Sequence, residues 1–162
     1  MDLSKLSTAD KVISISAIVL LIGSFLPWFS VEVDGAGAFG GAVADGNGWD
    51  VGFLWSGIPV LLGLAMLAII AIRAFSPDTN LPDLPITWGQ AFLGAGALAA
   101  LLVVLKLLIG EDDGGFDFVE VNRAWGLFVS TLAAIGLAVG GFLKMQEDDG
   151  TGGAAAGPPQ SF

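Results

Sequence analysis

The chain has no cysteine, no histidine and no tyrosine. Without Cys no disulfide can form, and without Cys or His no thiolate or imidazole can hold a metal. The missing His also removes the commonest general base and the side chain that titrates near neutral pH. No Ser stands in a G-x-S-x-G elbow, so a nucleophile has no recognisable setting. Charge is scarce at 14% of residues, and Lys plus Arg number 6 against 16 Asp plus Glu, a net charge of −10. That balance argues against a nucleic-acid partner, because phosphate binding needs clustered Lys and Arg. No enzyme, no cofactor and no metal is expected from this inventory.

What the chain has in abundance is apolar length. Of its 162 residues 54% are hydrophobic, and the mean hydropathy is +0.80. Residues 12–31, 51–72, 84–105 and 124–143 are four runs of 20, 22, 22 and 20 residues without Asp, Glu, Lys or Arg. A helix rises about 1.5 Å per residue, so about 20 residues cross a hydrocarbon core of about 30 Å. Four runs of matching length predict an all-α membrane protein, an antiparallel four-transmembrane-helix bundle.

Local signals set the expected boundaries. Helices are predicted over about 9–29, 50–75, 85–109 and 123–145, with 1–145 as one domain. Ser7 and Asp10 stand as an N-cap and an acid three residues on, a helix start. Lys5 and Lys11 flank the first run as they would in a signal peptide, and Ala42-Val43-Ala44 is an A-x-A site. That site lies too far behind the apolar run for cleavage, so the first helix is read as an uncleaved span. Pro27 kinks or ends this helix. Pro59 is expected to kink the second about two turns in, and Pro85 suits the first position of the third. Residues 35–48, with 6 glycines, read as a flexible loop. Residues 30–34 and 116–121 alternate apolar and polar, a strand period. They either pair as a small β-unit formed by the two outer loops or stay unstructured. Residues 146–162 read as a disordered acidic Gly/Ala/Pro tail.

Orientation follows Lys and Arg near the helix ends. Lys5, Lys11, Arg73 and Lys144 share the side that holds both termini, while Arg123 and Lys106 fall opposite. The expectation is a plasma-membrane protein with N-terminus and C-terminus cytoplasmic. Glu32, Asp34, Asp45, Asp50, Glu111, Asp112, Asp113, Asp117 and Glu120 then make the outer face strongly acidic. Trp28, Trp49, Trp55 and Trp125 read as outer interface anchors and Trp88 as the inner one.

Helix packing in lipid depends on close approach through small residues. Gly126, Ser130, Ala134 and Ala138 form a ridge at four-residue spacing, and Gly136 with Gly140 is a GxxxG pair. Gly96 and Ala100 on the third helix and Gly52 and Ser56 on the second are the matching small residues, and the fourth helix is expected to pack closely on the third through these faces. Gly136 and Gly140 could instead mediate a homodimer, although internal packing is the simpler role. Asp50, Lys106, Glu120 and Arg123 form a candidate outer charge cluster. Lys106 is about one turn from a helix end, where it can snorkel and pair with Glu111 or Glu120; the alternative is a gating or substrate role. Arg123 reads as an anchor able to pair with Asp50 or Glu120, and Asp50 as the cap of the second helix. Residues 45–50 start like an EF-hand loop, then place Trp where an oxygen ligand belongs and Asp where Gly is required.

Phe25-Leu26-Pro27-Trp28-Phe29 followed by Asn47-Gly48-Trp49-Asp50 resembles small four-span integral membrane proteins of actinobacteria that carry no assigned activity. Leu6-Ser7-Thr8-Ala9-Asp10-Lys11, Trp125-Gly126-Leu127-Phe128 and Gly140-Gly141-Phe142-Leu143-Lys144 are similar to theirs too. The resemblance covers nearly all of the chain but its tail, and it implies a four-span fold without supplying a reaction. The layout is also similar to that of claudin-like proteins, but their Cys pair is missing.

Together these features lead to two expectations. One is a non-enzymatic protein that acts through contacts, as an accessory subunit or cell-envelope interaction protein. Its partners would be the lipid bilayer and a membrane protein or a second copy of itself. The other is a small channel or solute conduit with an acidic outer vestibule. A conduit needs polar residues at mid-depth, and Ser56 and Ser130 are the nearest to that.

Overall fold

The computed structural model describes residues 4, 6–33, 42–112, 114, 115, 117 and 119–155. Lys5, Asp34, Asp113, Phe116 and Phe118, the loop stretch 34–41 and the tail stretch 156–162 lie outside them. Four long helices and a small antiparallel sheet account for most of the rest. In chain order they are α1 (Thr8–Phe25), β1 (Pro27–Val33), β2 (Ala42–Asn47), α2 (Gly57–Phe75), α3 (Trp88–Ile109), β3 (Val119–Arg123) and α4 (Trp125–Ala155). All four helices are long and apolar enough to cross a membrane.

The capping chemistry explains the starts. Asp10 N donates to Ser7 Oγ at 3.1 Å and Ser7 N donates to Asp10 Oδ2 at 3.2 Å, a reciprocal box that satisfies two orphan donors of α1. Thr87 and Gln90 make the same box at the head of α3. The T-x-x-Q spacing places that start at Trp88, so Pro85 precedes the helix and does not open it.

The ends differ from expectation where proline or glycine intervenes. α1 stops at Phe25, short of 29, because the residue before a proline is pushed to extended backbone, and Leu26 sits at φ −79°, ψ 159°. Pro27 then opens β1, a position where a missing donor is tolerated. α2 does not start at 50. Gly52 has φ 109°, a left-handed conformation no helix contains, and residues 49–56 form successive turns. Helical geometry resumes at Gly57. Pro59 is therefore in the first turn of α2, where the N–H would be unpaired anyway, and the expected mid-helix kink has no cause. Asp50 is seven residues ahead of α2 and does not cap it. At the other end of the chain α4 continues to Ala155, so residues 146–155 are helical and not tail.

The sheet has the order β2-β1-β3, antiparallel throughout. β1 pairs with β3 in regular register from Phe29↔Arg123 to Val33↔Val119. Its pairing with β2 runs from Pro27↔Asn47 to Glu32↔Ala42 and is interrupted by two register shifts. The two loops thus form one β-unit. β2 falls within the glycine-rich stretch read as a loop, and its strand conformation depends on the partner edge that β1 supplies.

Each helix packs on two others: α1 and α3 both on α4 and both on α2. The α3–α4 seam is the most extensive and the α2–α3 seam the least. α4 meets α1 through Gly126, Ser130, Gly136 and Gly140. Gly136 lies against Ser16 and Gly140 against Ile13, while Ser130 fills the space at Gly23. Gly126 approaches Leu26 and Pro27. Ala134 is fully buried and Ala138 half-buried. The ridge therefore serves mainly α1, where the sequence had assigned it to α3. Close approach to α3 uses Gly96, the third-helix glycine expected in this packing, together with Gly141 of α4. A Cβ on Gly96 would come 2.6 Å from the Leu137 carbonyl carbon, and one on Gly141 would come 2.8 Å from Leu93 Cα. Between the helices the core is apolar, built on Ile13, Leu20, Phe92, Val103, Leu127 and Leu137. The outward faces are apolar as well, with Ile15, Ile22, Leu61, Leu101, Leu132 and Phe142 exposed.

Candidate functional site under the sheet

The candidate charge cluster and four of the five tryptophans that the sequence singled out lie at the sheet end of the helices. Lys106 lies one turn before the end of α3 and is 6% exposed. Its ammonium forms an ion pair with Glu111. It also stands 5.5 Å from the ring centroids of Phe29 and of Trp55. A buried cation needs compensation, because stripping its water costs several kcal/mol, of order, even after relaxation. Here a carboxylate and two ring faces supply it. Glu111 is the partner among the two acids considered from sequence. The side chain does not reach out past the helix end; it is folded beneath the sheet.

Arg123 has a different task. Its Nε donates to Leu107 O at 2.6 Å and its Nη2 to Leu108 O at 3.2 Å. These are two of the last carbonyls of α3, which have no partner within the helix, and a cation there also complements the helix dipole. Pairing with Asp50 or Glu120 is replaced by this carbonyl clamp. Asp50 is exposed and accepts from Asn47 N at 2.9 Å. Glu120 is exposed on β3, directly opposite Glu32 of β1. The four residues Asp50, Lys106, Glu120 and Arg123 share one end of the molecule without forming one cluster. Glu111, Asp112 and Glu120 line an open groove of about 400 Å³ beside β3. No group of three or more Asp and Glu among the described residues is placed to hold a metal ion.

The tryptophans divide by role. Trp28 is fully buried, and its Nε1 donates to Gly23 O at 2.9 Å. It is a core residue and not an interface anchor, because extended backbone at β1 turns the indole into the helices. Gly48 makes room for it: a Cβ there would come 2.8 Å from Trp28 Cε2. Trp49 Nε1 donates to Ser24 Oγ at 3.1 Å, and Ser24 Oγ donates to Leu21 O at 2.6 Å. This pins the turn after β2 to the end of α1. Trp55 is half-buried beneath Lys106, and Trp125 is exposed at the first position of α4. Trp88 stands at the opposite end of the molecule under Arg73, whose guanidinium carbon is 5.3 Å from the ring centroid. Ser56 and Ser130 are buried at the sheet end, and their Oγ atoms have no hydrogen-bond partner among the described residues.

Sequence reasoning missed the polar ties at the end away from the sheet. Lys144 Nζ lies 2.8 Å from Asp10 Oδ1 and 3.5 Å from Glu147 Oε2, largely buried. Gly89 N donates to Asp148 Oδ2 at 2.6 Å, so an acid on α4 caps α3. The Lys144/Glu147 spacing of three was a visible helical signal. The Asp10 contact, across 134 positions, had none.

The geometry defines a protein of four candidate spans with a sheet over one end. No family model, no curated protein and no solved structure matches the chain.

Proposed function

We propose that this is a multi-pass protein of the cell membrane that acts through contacts and not through catalysis. In this reading α1–α4 form an antiparallel bundle across the bilayer, with both termini cytoplasmic and the sheet outside. Lys11, Arg73 and Lys144 lie at the end away from the sheet, in keeping with the positive-inside bias. Lys106 and Arg123, at the sheet end, are held by Glu111 and by carbonyls. The role is that of an accessory subunit or a cell-envelope interaction protein, with the sheet as contact surface.

The observation that carries this reading is the sheet itself. It is a folded surface over one end of the helices, with acids exposed at Glu32 and Glu120. β2 and β3 are both edge strands, and an edge offers backbone N–H and C=O groups to a partner. The helix interior beneath it supports the same reading over a conduit. Its fully buried polar groups sit near the two ends, and the middle is filled by Leu, Val, Phe and Ala side chains apart from half-buried Ser16, which is packed on Gly136. The test is a mild-detergent pull-down of the full chain beside E32K/E120K. A stoichiometric partner retained by the wild type and lost by the variant is expected. Cation flux in proteoliposomes with no such partner would replace this proposal by the conduit.

A further inference from the structure

Of the six Lys and Arg residues, three are committed: Lys106 to Glu111, Lys144 to Asp10 and Glu147, and Arg123 to the carbonyls of α3. Arg73, in the last turn of α2, is different. Among the described residues its only partner is the face of Trp88. A guanidinium lying on an indole keeps its N–H edge free, and that edge matches a phosphate bidentately.

Immediately beyond this pair is an apolar groove between α2 and α3, the least extensive of the helix seams. Its volume is about 180 Å³; Ile69, Trp88, Ala91 and Ala95 are among its lining, over a floor of buried Met66 and Phe92. The lining runs over residues 62–69 of α2 and 88–95 of α3, a rise of about 10 Å, where one leaflet contributes about 15 Å to the hydrocarbon core. Arg73 is one turn past Ile69, at the end of the groove where the helices finish. Cationic head and apolar slot are thus continuous, with Trp88 belonging to both.

Surrounding acids do not cancel the cation. Asp10 borders Arg73 across a small pocket, but its two oxygens are engaged by Lys144 Nζ and Ser7 N. Asp78 and Asp83, in the segment joining α2 to α3, are exposed to solvent. Asp148 accepts from Gly89 N at the head of α3; with these acids exposed or engaged, selectivity for an anion rests on Arg73.

We propose that Arg73 and the α2–α3 groove bind one anionic phospholipid, with the phosphate on the Arg73 guanidinium and an acyl chain along Ile69, Trp88, Ala91 and Ala95. This rests on the membrane-spanning reading above. The test uses the full chain in phosphatidylcholine vesicles and in detergent with added phosphatidylglycerol or phosphatidylcholine, read by flotation and by native mass spectrometry. Wild type is expected to float with the vesicles and to retain one phosphatidylglycerol roughly tenfold better than R73Q does. Ala95→Leu, which narrows the groove and keeps the cation, is expected to lose retention as well. Equal retention by wild type and R73Q, with both floating, overturns the lipid site and leaves the membrane reading intact. Failure of the wild type to float overturns both. Competition by soluble glycerol phosphate as strong as by the lipid overturns the acyl-chain half of the proposal. So does a dimer in detergent that Ala95→Leu dissociates without any lipid effect, since a second copy would then fill the groove.

Discussion

Gly94 and Gly96 stand two residues apart in α3 and offer a controlled test of the α3–α4 seam. Both become alanine with the same gain in helix propensity, about 0.5–1 kcal/mol for a helix interior in water, so that term cancels between them. A Cβ at Gly94 meets nothing within 4 Å, whereas one at Gly96 lies 2.6 Å from the Leu137 carbonyl carbon and 2.8 Å from Ala138 N. Those atoms are backbone, so no rotamer change can relieve the overlap. Restoring ordinary contact, which starts at 3.4 Å, from 2.6 Å requires the helices to part by about 0.8 Å or more. A gap of about 0.5–1 Å forfeits about a quarter to a half of the dispersion energy of the atoms along it. The same opening would loosen the neighbouring approaches of Gly89 to Met145 and Gly141 to Leu93. Overpacking of this kind costs about 1–3 kcal/mol. G96A should therefore be less stable than G94A by about 1–3 kcal/mol, measured by equilibrium unfolding of the detergent-solubilised protein in mixed micelles of increasing SDS. A difference below about 0.5 kcal/mol, inside the usual scatter for neutral substitutions, would refute the seam as drawn.

Three further outcomes follow from the polar ties. E111Q should destabilise more than K106M, because it strands a buried cation, whereas the Glu111 side chain left behind by K106M is 35% exposed and can hydrate; the reverse order in the same unfolding assay would contradict the aromatic box. The pair D10N and K144M should be non-additive, with a coupling of about 0.5–3 kcal/mol in a double-mutant cycle; additive losses would mean that the Asp10–Lys144 ion pair is not formed. W28F should cost about 1–2 kcal/mol, the indole hydrogen bond together with some packing. It should also leave Gly23 O satisfied through Leu26 N, so a loss large enough to unfold the chain would require another role for Trp28.

Most of the helical layout is legible in the chain because its signals are local. Runs free of charge set the helix number, Ser7 and Asp10 mark a start, and Thr87 and Gln90 were a second start of the same form. The candidate site is legible only as residue types at one end. Lys106 and Arg123 were visible as the cations nearest that end, and Glu111 was one of two acids proposed for Lys106. Their division of labour was not visible. Which cation is buried under Phe29 and Trp55, and which one closes the carbonyls of α3, depends on where β1 and β3 bring their side chains. Trp28 was misread for the same reason: an indole beside a proline at a helix end has the same sequence whether it turns to lipid or to the core.

The sequence by itself determined the four long apolar helices, the capping of α1 and the gathering of acids and tryptophans at one end. Each of these follows from composition or spacing within a few residues, and the physics involved acts within a turn or a span. Alternation at 30–34 and 116–121 left a β-unit as one of two outcomes; tertiary structure decided for it and added β2, which has too few strand-forming residues to extend without β1 beside it. Tertiary structure also decided which glycines face which helix. The ridge of Gly126, Ser130, Gly136 and Gly140 meets α1, and Gly96 and Gly141 close the α3–α4 seam. A small residue marks only that something comes near; what comes near is fixed by the rotation of two whole helices about their axes. The Phe25–Asp50 stretch carries both lessons. Its proline ends a helix by local sterics, and its glycine at 52 delays the next one. Its two tryptophans acquire opposite exposures only when the strands pair and Ser24, Gly48 and Gly23 come together beneath them.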